Sequence, residues 1–205
     1  MAFAKANAIL LELFMKKILI TYFEPFGKDT DNVSKNVGEL ISKRIGDIEI
    51  EKCLLPVEFS RAADIALERV RETGAFAVIS LGQAGARRAV TPEMAALNLR
   101  YATIPDNAGR RPLDEPCIAG APNAYFSTLP VRQMAGLISE CGVPCTVSYS
   151  AGTYVCNDLY FRLLHNFANT EIKAAFVHLP KESEDISALQ MAKALEKMIE
   201  GIFCA

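Results

Sequence analysis

Ala174-Ala175-Phe176-Val177-His178, followed by Leu179-Pro180, is an apolar run that ends on an imidazole. Its length and composition predict a buried strand. The next segment, 187–203, carries Leu189, Ala192, Leu195, Met198 and Ile199 at helical spacing and predicts an amphipathic helix. Working outward, strand patterns fall at 17–22, 48–55, 77–81, 96–101, 145–148 and 174–178. Helical patterns fall at 34–45, 60–73, 128–141, 153–168 and 187–203. This alternation predicts an α/β domain around a largely parallel sheet. The longest irregular stretch, 102–126, holds Ile104-Pro105-Asp106-Asn107-Ala108-Gly109 and several further prolines. Ligand sites in such sheets gather on loops at strand ends, so this loop is expected to serve the site.

The bulk numbers fit that class. The chain has 205 residues, 51% hydrophobic and 22% charged, with a formal net charge of −2. That suffices for one domain with a large core, and gives no electrostatic footprint for nucleic acid or an anionic membrane. No apolar run has the length of a membrane span. The six cysteines are read as reduced, mostly small buried hydrophobes of a cytoplasmic protein. Cys141 and Cys145 have no second Cys/His pair with which to complete a zinc site. Residues 1–14 read as an extension, with the domain at 15–205: Met15-Lys16-Lys17 before Ile18-Leu19-Ile20 resembles a natural start, and no small-residue cleavage site follows the apolar stretch.

Only two histidines are present, His165 and His178. His178 ends a strand, where open α/β sheets place their sites. His165 falls late in a helix, where it complements the helix C-terminus. Ser148-Tyr149-Ser150-Ala151-Gly152-Thr153-Tyr154-Val155-Cys156-Asn157 reads as strand end, turn and helix start. Cys156 therefore stands near a helix N-terminus, which favours a thiolate; the same position suits a buried cysteine packing helix against sheet. Thr91-Pro92-Glu93 reads as a helix start, with Thr91 as N-cap. Glu93 there either orients an imidazole or only complements the helix dipole. Gly82-Gln83-Ala84-Gly85 is a glycine-rich turn after a strand, but no nucleotide fingerprint. The pairs Arg87-Arg88 and Arg110-Arg111 read as solvated surface.

Together these segments resemble the pyroglutamyl peptidase I family. The matching strings are Phe23-Glu24-Pro25-Phe26-Gly27, Leu55-Pro56-Val57, Gly82-Gln83-Ala84-Gly85, Pro92-Glu93, Ile104-Pro105-Asp106-Asn107, Tyr125-Phe126-Ser127-Thr128-Leu129-Pro130, Ser150 through Asn157, and Val177-His178-Leu179-Pro180. They stand in family order with similar gaps. The resemblance implies one α/β/α sandwich with a mixed, twisted, largely parallel sheet, like that of the phosphorylases and hydrolases. It also implies no metal or cofactor, and a homotetramer or dimer. It places the nucleophile on Cys156, the general base on His178 and the orienting carboxylate on Glu93. Pocket positions fall on Phe23, Phe26, Asn32, Gln83, Ile104, Tyr154 and Val155. The implied substrates are peptides bearing an N-terminal pyroglutamate, cleaved through a thioester.

Five positions depart from the family pattern. Thr103 stands for an Arg before Ile-Pro-Asp-Asn, Tyr22 for a Gly, Lys28 for a second Gly, Val33 for a Pro, and Asp158 for a His after Cys-Asn. Tyr22 is expected to narrow the pocket or displace the strand end. Tyr22 and Thr103 motivate an alternative, a weakly active or inactive relative that binds pyroglutamyl peptides or small lactams. A nucleoside phosphorylase is a further alternative on fold analogy alone.

Overall fold

Ile18, Ile20 and Tyr22 of the first strand point to one side of a sheet, and Leu19 and Phe23 to the other. Both sides are covered, which is why the run lacks the polar alternation of a half-exposed strand. The computed structural model describes residues 16–204; the expected extension at 1–14 lies outside the described residues. Strands β1 (Lys16–Phe23), β2 (Arg44–Ile45), β3 (Ile48–Leu55), β4 (Ala77–Gln83), β5 (Thr91–Pro92) and β8 (Lys173–Leu179) form one sheet in the order β2-β3-β1-β4-β8-β5. The four central strands are parallel, while β2 and β5 run antiparallel at the two edges. Strands β6 (Ala95–Leu97) and β7 (Ala124–Phe126) make a separate antiparallel pair.

Helices α1 (Val33–Leu40), α3 (Val131–Glu140) and α5 (Ala188–Phe203) pack on one face through Val37, Met134, Ile138, Met191, Leu195 and Met198. Helices α2 (Arg61–Thr73) and α4 (Val155–Phe167) pack on the other through Ala63, Ala66, Leu159, Tyr160 and Phe161. The result is the expected three-layer α/β/α sandwich around a mixed, mainly parallel sheet. Among the described residues no helix is long and apolar enough to cross a membrane.

Several local expectations are corrected. The helix expected at 34–45 stops at Leu40, because Ile41 turns to ψ 134°. Residues 44–55 form a hairpin instead: Ile45 pairs with Ile48 across Gly46-Asp47, and Gly46 has φ +59°, the left-handed geometry such turns need. The strand expected at 96–101 is only Ala95–Leu97. The Asn157 side chain takes Leu97 N–H and donates to the carbonyls of Leu97 and Leu99, replacing a ladder. At 145–148 only isolated bridges form, Val90 with Cys145 and Glu93 with Ser148.

Tyr22 neither narrows the pocket nor displaces the strand end. By the two-residue alternation of β1 it points away from Phe23, is 6% exposed, and packs against α1. Room for it comes from Gly38, where an added Cβ would lie 2.7 Å from Tyr22 Cγ and 2.8 Å from Cε1. Gly38→Ala is therefore expected to destabilise the fold by about 1–3 kcal/mol through overpacking, despite alanine's better helix propensity. A urea midpoint lowered in Gly38→Ala, but largely restored in Tyr22→Ala/Gly38→Ala, would confirm the coupling; equal losses in both would refute it.

Candidate active site

The alternation that sends Tyr22 one way sends Phe23, Gly82 and His178 the other. Val78, Ala174 and Phe176 lie on the α4 side of the sheet. Gly82 and His178 continue those same faces as cross-strand partners at the carboxyl ends of β4 and β8. Helix α4 delivers Cys156 in its first turn, after the extended N-cap Tyr154. A Cβ added at Gly82 would lie 3.0 Å from Cys156 Sγ and 2.7 Å from Phe176 Cζ. Glycine at 82 is thus what admits the thiol to the strand ends. The sequence showed this residue only as part of a turn.

Glu93 reaches the same place by a route not expected from sequence. Thr91-Pro92 does not open a helix; it forms the edge strand β5, with Thr91 opposite His178. Proline is tolerated at an edge, where its missing N–H breaks no ladder. Glu93 N–H then donates to Phe176 carbonyl at 2.8 Å. This turns the carboxylate under the imidazole: His178 Nδ1 lies 2.7 Å from Glu93 Oε1. Both side chains are buried, Glu93 completely. Arg87 is not solvated surface: its Nη1 also donates to Glu93 Oε1, at 2.6 Å, and to Thr91 Oγ1. The only sequence signal for Arg87 was its place six residues before Glu93. Arg88 is exposed, as are Arg110 and Arg111.

Burial, reinforced by the Glu93 charge, pushes the Cys156 thiol up to about 12; Arg87 and the cysteine's own backbone N–H pull the other way. Burial lowers His178, against the Glu93 hydrogen bond that raises it. Near neutral pH the two groups therefore rest as thiol and neutral imidazole. His165 lies elsewhere, 2.9 Å from Tyr125 Oη and stacked on Phe161.

The remaining expected pocket residues lie at the carboxyl ends of β1 and β4, at the start of α4 and on the loops that adjoin them. Phe23 and Val155 are buried, at 2% and 0% exposure. The Phe26 ring lies 6.2 Å from that of Tyr154, whose hydroxyl donates to Pro105 carbonyl. Asn32 caps α1 through Ser34 and donates to Glu24 carbonyl. Gln83 accepts from Val33 N–H and donates to Asp29. Both amides thus brace the 24–33 loop. The 104–107 loop is clamped by Asp106, which accepts Phe59 N–H, and by Asn107, which donates to Pro25 carbonyl. Ile104 stands at its outer edge, 45% exposed. Asp158, the departure after Cys-Asn, is paired with Arg100: Nε and Nη2 approach its Oδ1 at 2.7 and 2.6 Å. Among the described residues no group of three His, Cys, Asp or Glu side chains could hold a metal ion.

Fold and chemistry together define a cysteine hydrolase of the α/β/α class. The sequence profile described as pyroglutamyl peptidase matches residues 16–205. A pyrrolidone-carboxylate peptidase of Aliivibrio fischeri (strain MJ11) is 41% identical over 193 residues, covering 93% of this chain and 91% of the relative. One from Caldanaerobacter subterraneus subsp. tengcongensis is 38% identical over 197 residues, covering 91% and 97%. The solved pyroglutamyl peptidase I of Bacillus amyloliquefaciens superposes with a TM-score of 0.85 at 33% identity, covering 93% and 98%. The pyrrolidone carboxyl peptidase of Thermococcus litoralis gives 0.87 at 34%, covering 93% and 94%. The chain belongs to the pyroglutamyl peptidase family, and is a cysteine peptidase.

Proposed function

We propose that this member of the family removes N-terminal pyroglutamate from peptides with Cys156 as nucleophile, His178 as general base and then acid, and Glu93 as the group that orients the imidazole. The observation that carries this reading is the 2.7 Å contact between buried Glu93 and His178 Nδ1, on the strand end that also receives the Cys156 thiol. The bond to Glu93 leaves Nε2 to exchange the proton. Sulfur attacks the pyroglutamyl carbonyl, and its proton passes to His178. Backbone N–H groups at the start of α4 hold the oxyanion. His178 then protonates the departing amine, and water hydrolyses the thioester.

A pyroglutamyl group carries no amine charge, so its pocket requires apolar walls and partners for one lactam. Phe23 and Val155 supply the floor, and Phe26 and Tyr154 the aromatic wall. Gln83 and Asn32 act by bracing the loop that presents Phe26. The Ile104 carbonyl is the acceptor proposed for the lactam N–H; leaving such a group unpaired would cost about 1–3 kcal/mol, which gives specificity. We assign the peptidase domain to 15–205. We place the protein in the reducing cytoplasm, where the six free thiols persist. Exposed Leu113, Phe126 and Tyr149 fit a contact between copies in a homotetramer or dimer. The weak-turnover alternative loses its support from Tyr22, which faces α1.

The test is release of a fluorescent amine from a pyroglutamyl amide, before and after treatment with iodoacetamide. Release that stops as label accumulates on Cys156 supports the reading. Release that continues after Cys156 is fully labelled overturns it.

A further inference from the structure

Glu93 holds both of its charged neighbours on one oxygen. His178 Nδ1 and Arg87 Nη1 approach Oε1 at 2.7 and 2.6 Å, while Oε2, equally enclosed, has no hydrogen-bond partner in the structure. A carboxylate's terminal torsion is soft and nearly two-fold. With His178 as its sole polar partner, this carboxylate could turn and offer either oxygen, or neither, to the imidazole. Arg87 breaks that symmetry. It donates to Thr91 Oγ1 as well, and Thr91 is the cross-strand partner of His178. The guanidinium thus spans two residues on β5 and just beyond it, one opposite His178 and one bonded to it.

We infer that Arg87 is a positioning residue for the reaction, fixing the Glu93 carboxylate in the orientation that holds His178 and balancing the charge that the imidazole and the thiol both feel. The inference rests on the roles proposed above for Cys156, His178 and Glu93.

The electrostatics agree with the geometry. The ionisable groups gathered here are Glu93 and Arg87 from the β4–β6 segment, His178 from β8, and Cys156 and Tyr160 from α4; Tyr160 Oη donates to Glu93 carbonyl at 3.3 Å. The Glu93 charge raises the thiol, and with its hydrogen bond it raises the imidazole; Arg87 opposes it at both. Without Arg87, His178 retains its proton to higher pH and Cys156 ionises less readily. Activity needs neutral His178, so the acid limb of kcat/KM moves to higher pH.

The experiment compares wild type, Arg87→Met, Arg87→Lys and Glu93→Gln, with the double variant Arg87→Met/Glu93→Gln, on a pyroglutamyl amide. Arg87→Met is expected to lower kcat about 10- to 100-fold with little change in KM. It should also shift the acid limb upward and slow iodoacetamide labelling of Cys156. Arg87→Lys, which keeps the charge but not the planar fork, should bring the acid limb back towards wild type while kcat stays reduced. In the Glu93→Gln background, Arg87→Met should add little, because both act through one carboxylate. An unchanged acid limb and labelling rate in Arg87→Met, or full additivity with Glu93→Gln, overturns the inference. Should Arg87→Met fail to fold, Arg87→Lys decides: wild-type kcat in that variant overturns the orienting role. Full activity in Glu93→Gln instead removes the role of Glu93 itself, which separates failure of the underlying reading from failure of this one.

Discussion

Cys156→Ala is expected to lower kcat/KM on a pyroglutamyl amide by at least about 10⁴-fold, the scale on which losing the proposed nucleophile registers. The thiol rises to about 12 in this site, so almost none of it is ionised at rest. In the proposed mechanism reactivity depends on handing the proton to His178 at the moment of attack, and alanine offers nothing to hand over. The fold should tolerate the change. Alanine is a strong helix former, and the space between Gly82 and Phe176 needs no polar atom. The variant is therefore expected to keep its thermal midpoint and still bind a pyroglutamyl peptide, since Phe26, Tyr154 and the 104–107 loop are untouched. Steady-state kinetics, a thermal melt and calorimetric binding check the three parts. Retention of more than about 1% of wild-type turnover would exclude a covalent thioester route.

The second large effect is on stability. Arg100 and Asp158 form a buried ion pair, 7% and 1% exposed at the side chain. Asp158 Oδ2 also accepts Ser60 N–H at 2.7 Å, and Arg100 donates to Ser60 Oγ at 3.0 Å. Ser60 has φ +66°, an unfavourable region for a non-glycine residue, and these bonds hold it there. Arg100→Met leaves a carboxylate enclosed without its cation and is expected to cost about 3–5 kcal/mol. Arg100→Met/Asp158→Leu should be less destabilised than Arg100→Met alone, because no orphan charge remains. Urea denaturation reads both, through a lowered midpoint at unchanged slope. A double variant as unstable as the single one would locate the cost in Ser60 and its loop rather than in the stranded charge.

The sequence was most informative where a pattern repeats. Apolar runs such as 174–178 and the helical spacing of Leu195, Met198 and Ile199 predicted four strands and four helices close to their observed limits, and a fifth helix that overran its end at Leu40. It was least informative where side chains take over from backbone pairing. Asn157 intercepts Leu97 and Leu99, so the strand expected through 101 ends early. Pro92 sits at a sheet edge, although a threonine–proline–glutamate string reads equally well as a helix start. His178 could be singled out because only two histidines are present, whereas position alone left Cys156 and Glu93 with a structural reading as well, and the family resemblance put them forward. Arg87 could not be singled out, since an arginine doublet looks the same whether it faces water or a buried carboxylate. Asp158 looked like an unexplained departure because its partner, Arg100, lies 58 positions away in the chain. The packing of Tyr22 against Gly38 was hidden for the same reason: a two-residue alternation gives a side, but not what waits there.

His178 and Glu93 are 85 residues apart in the chain, and Gly82, against which the thiol rests, lies on yet another strand. No hairpin or helical fragment contains the site. It comes into being only when β4, β8 and β5 have been brought side by side and α4 laid across them. Such non-local pairings are slow to close because loop entropy is lost before any contact is gained. During renaturation, hydrolytic activity therefore reports the arrival of the finished topology, while helix content reports only its local pieces. Turnover in this chain is a clock for the last step of its own assembly.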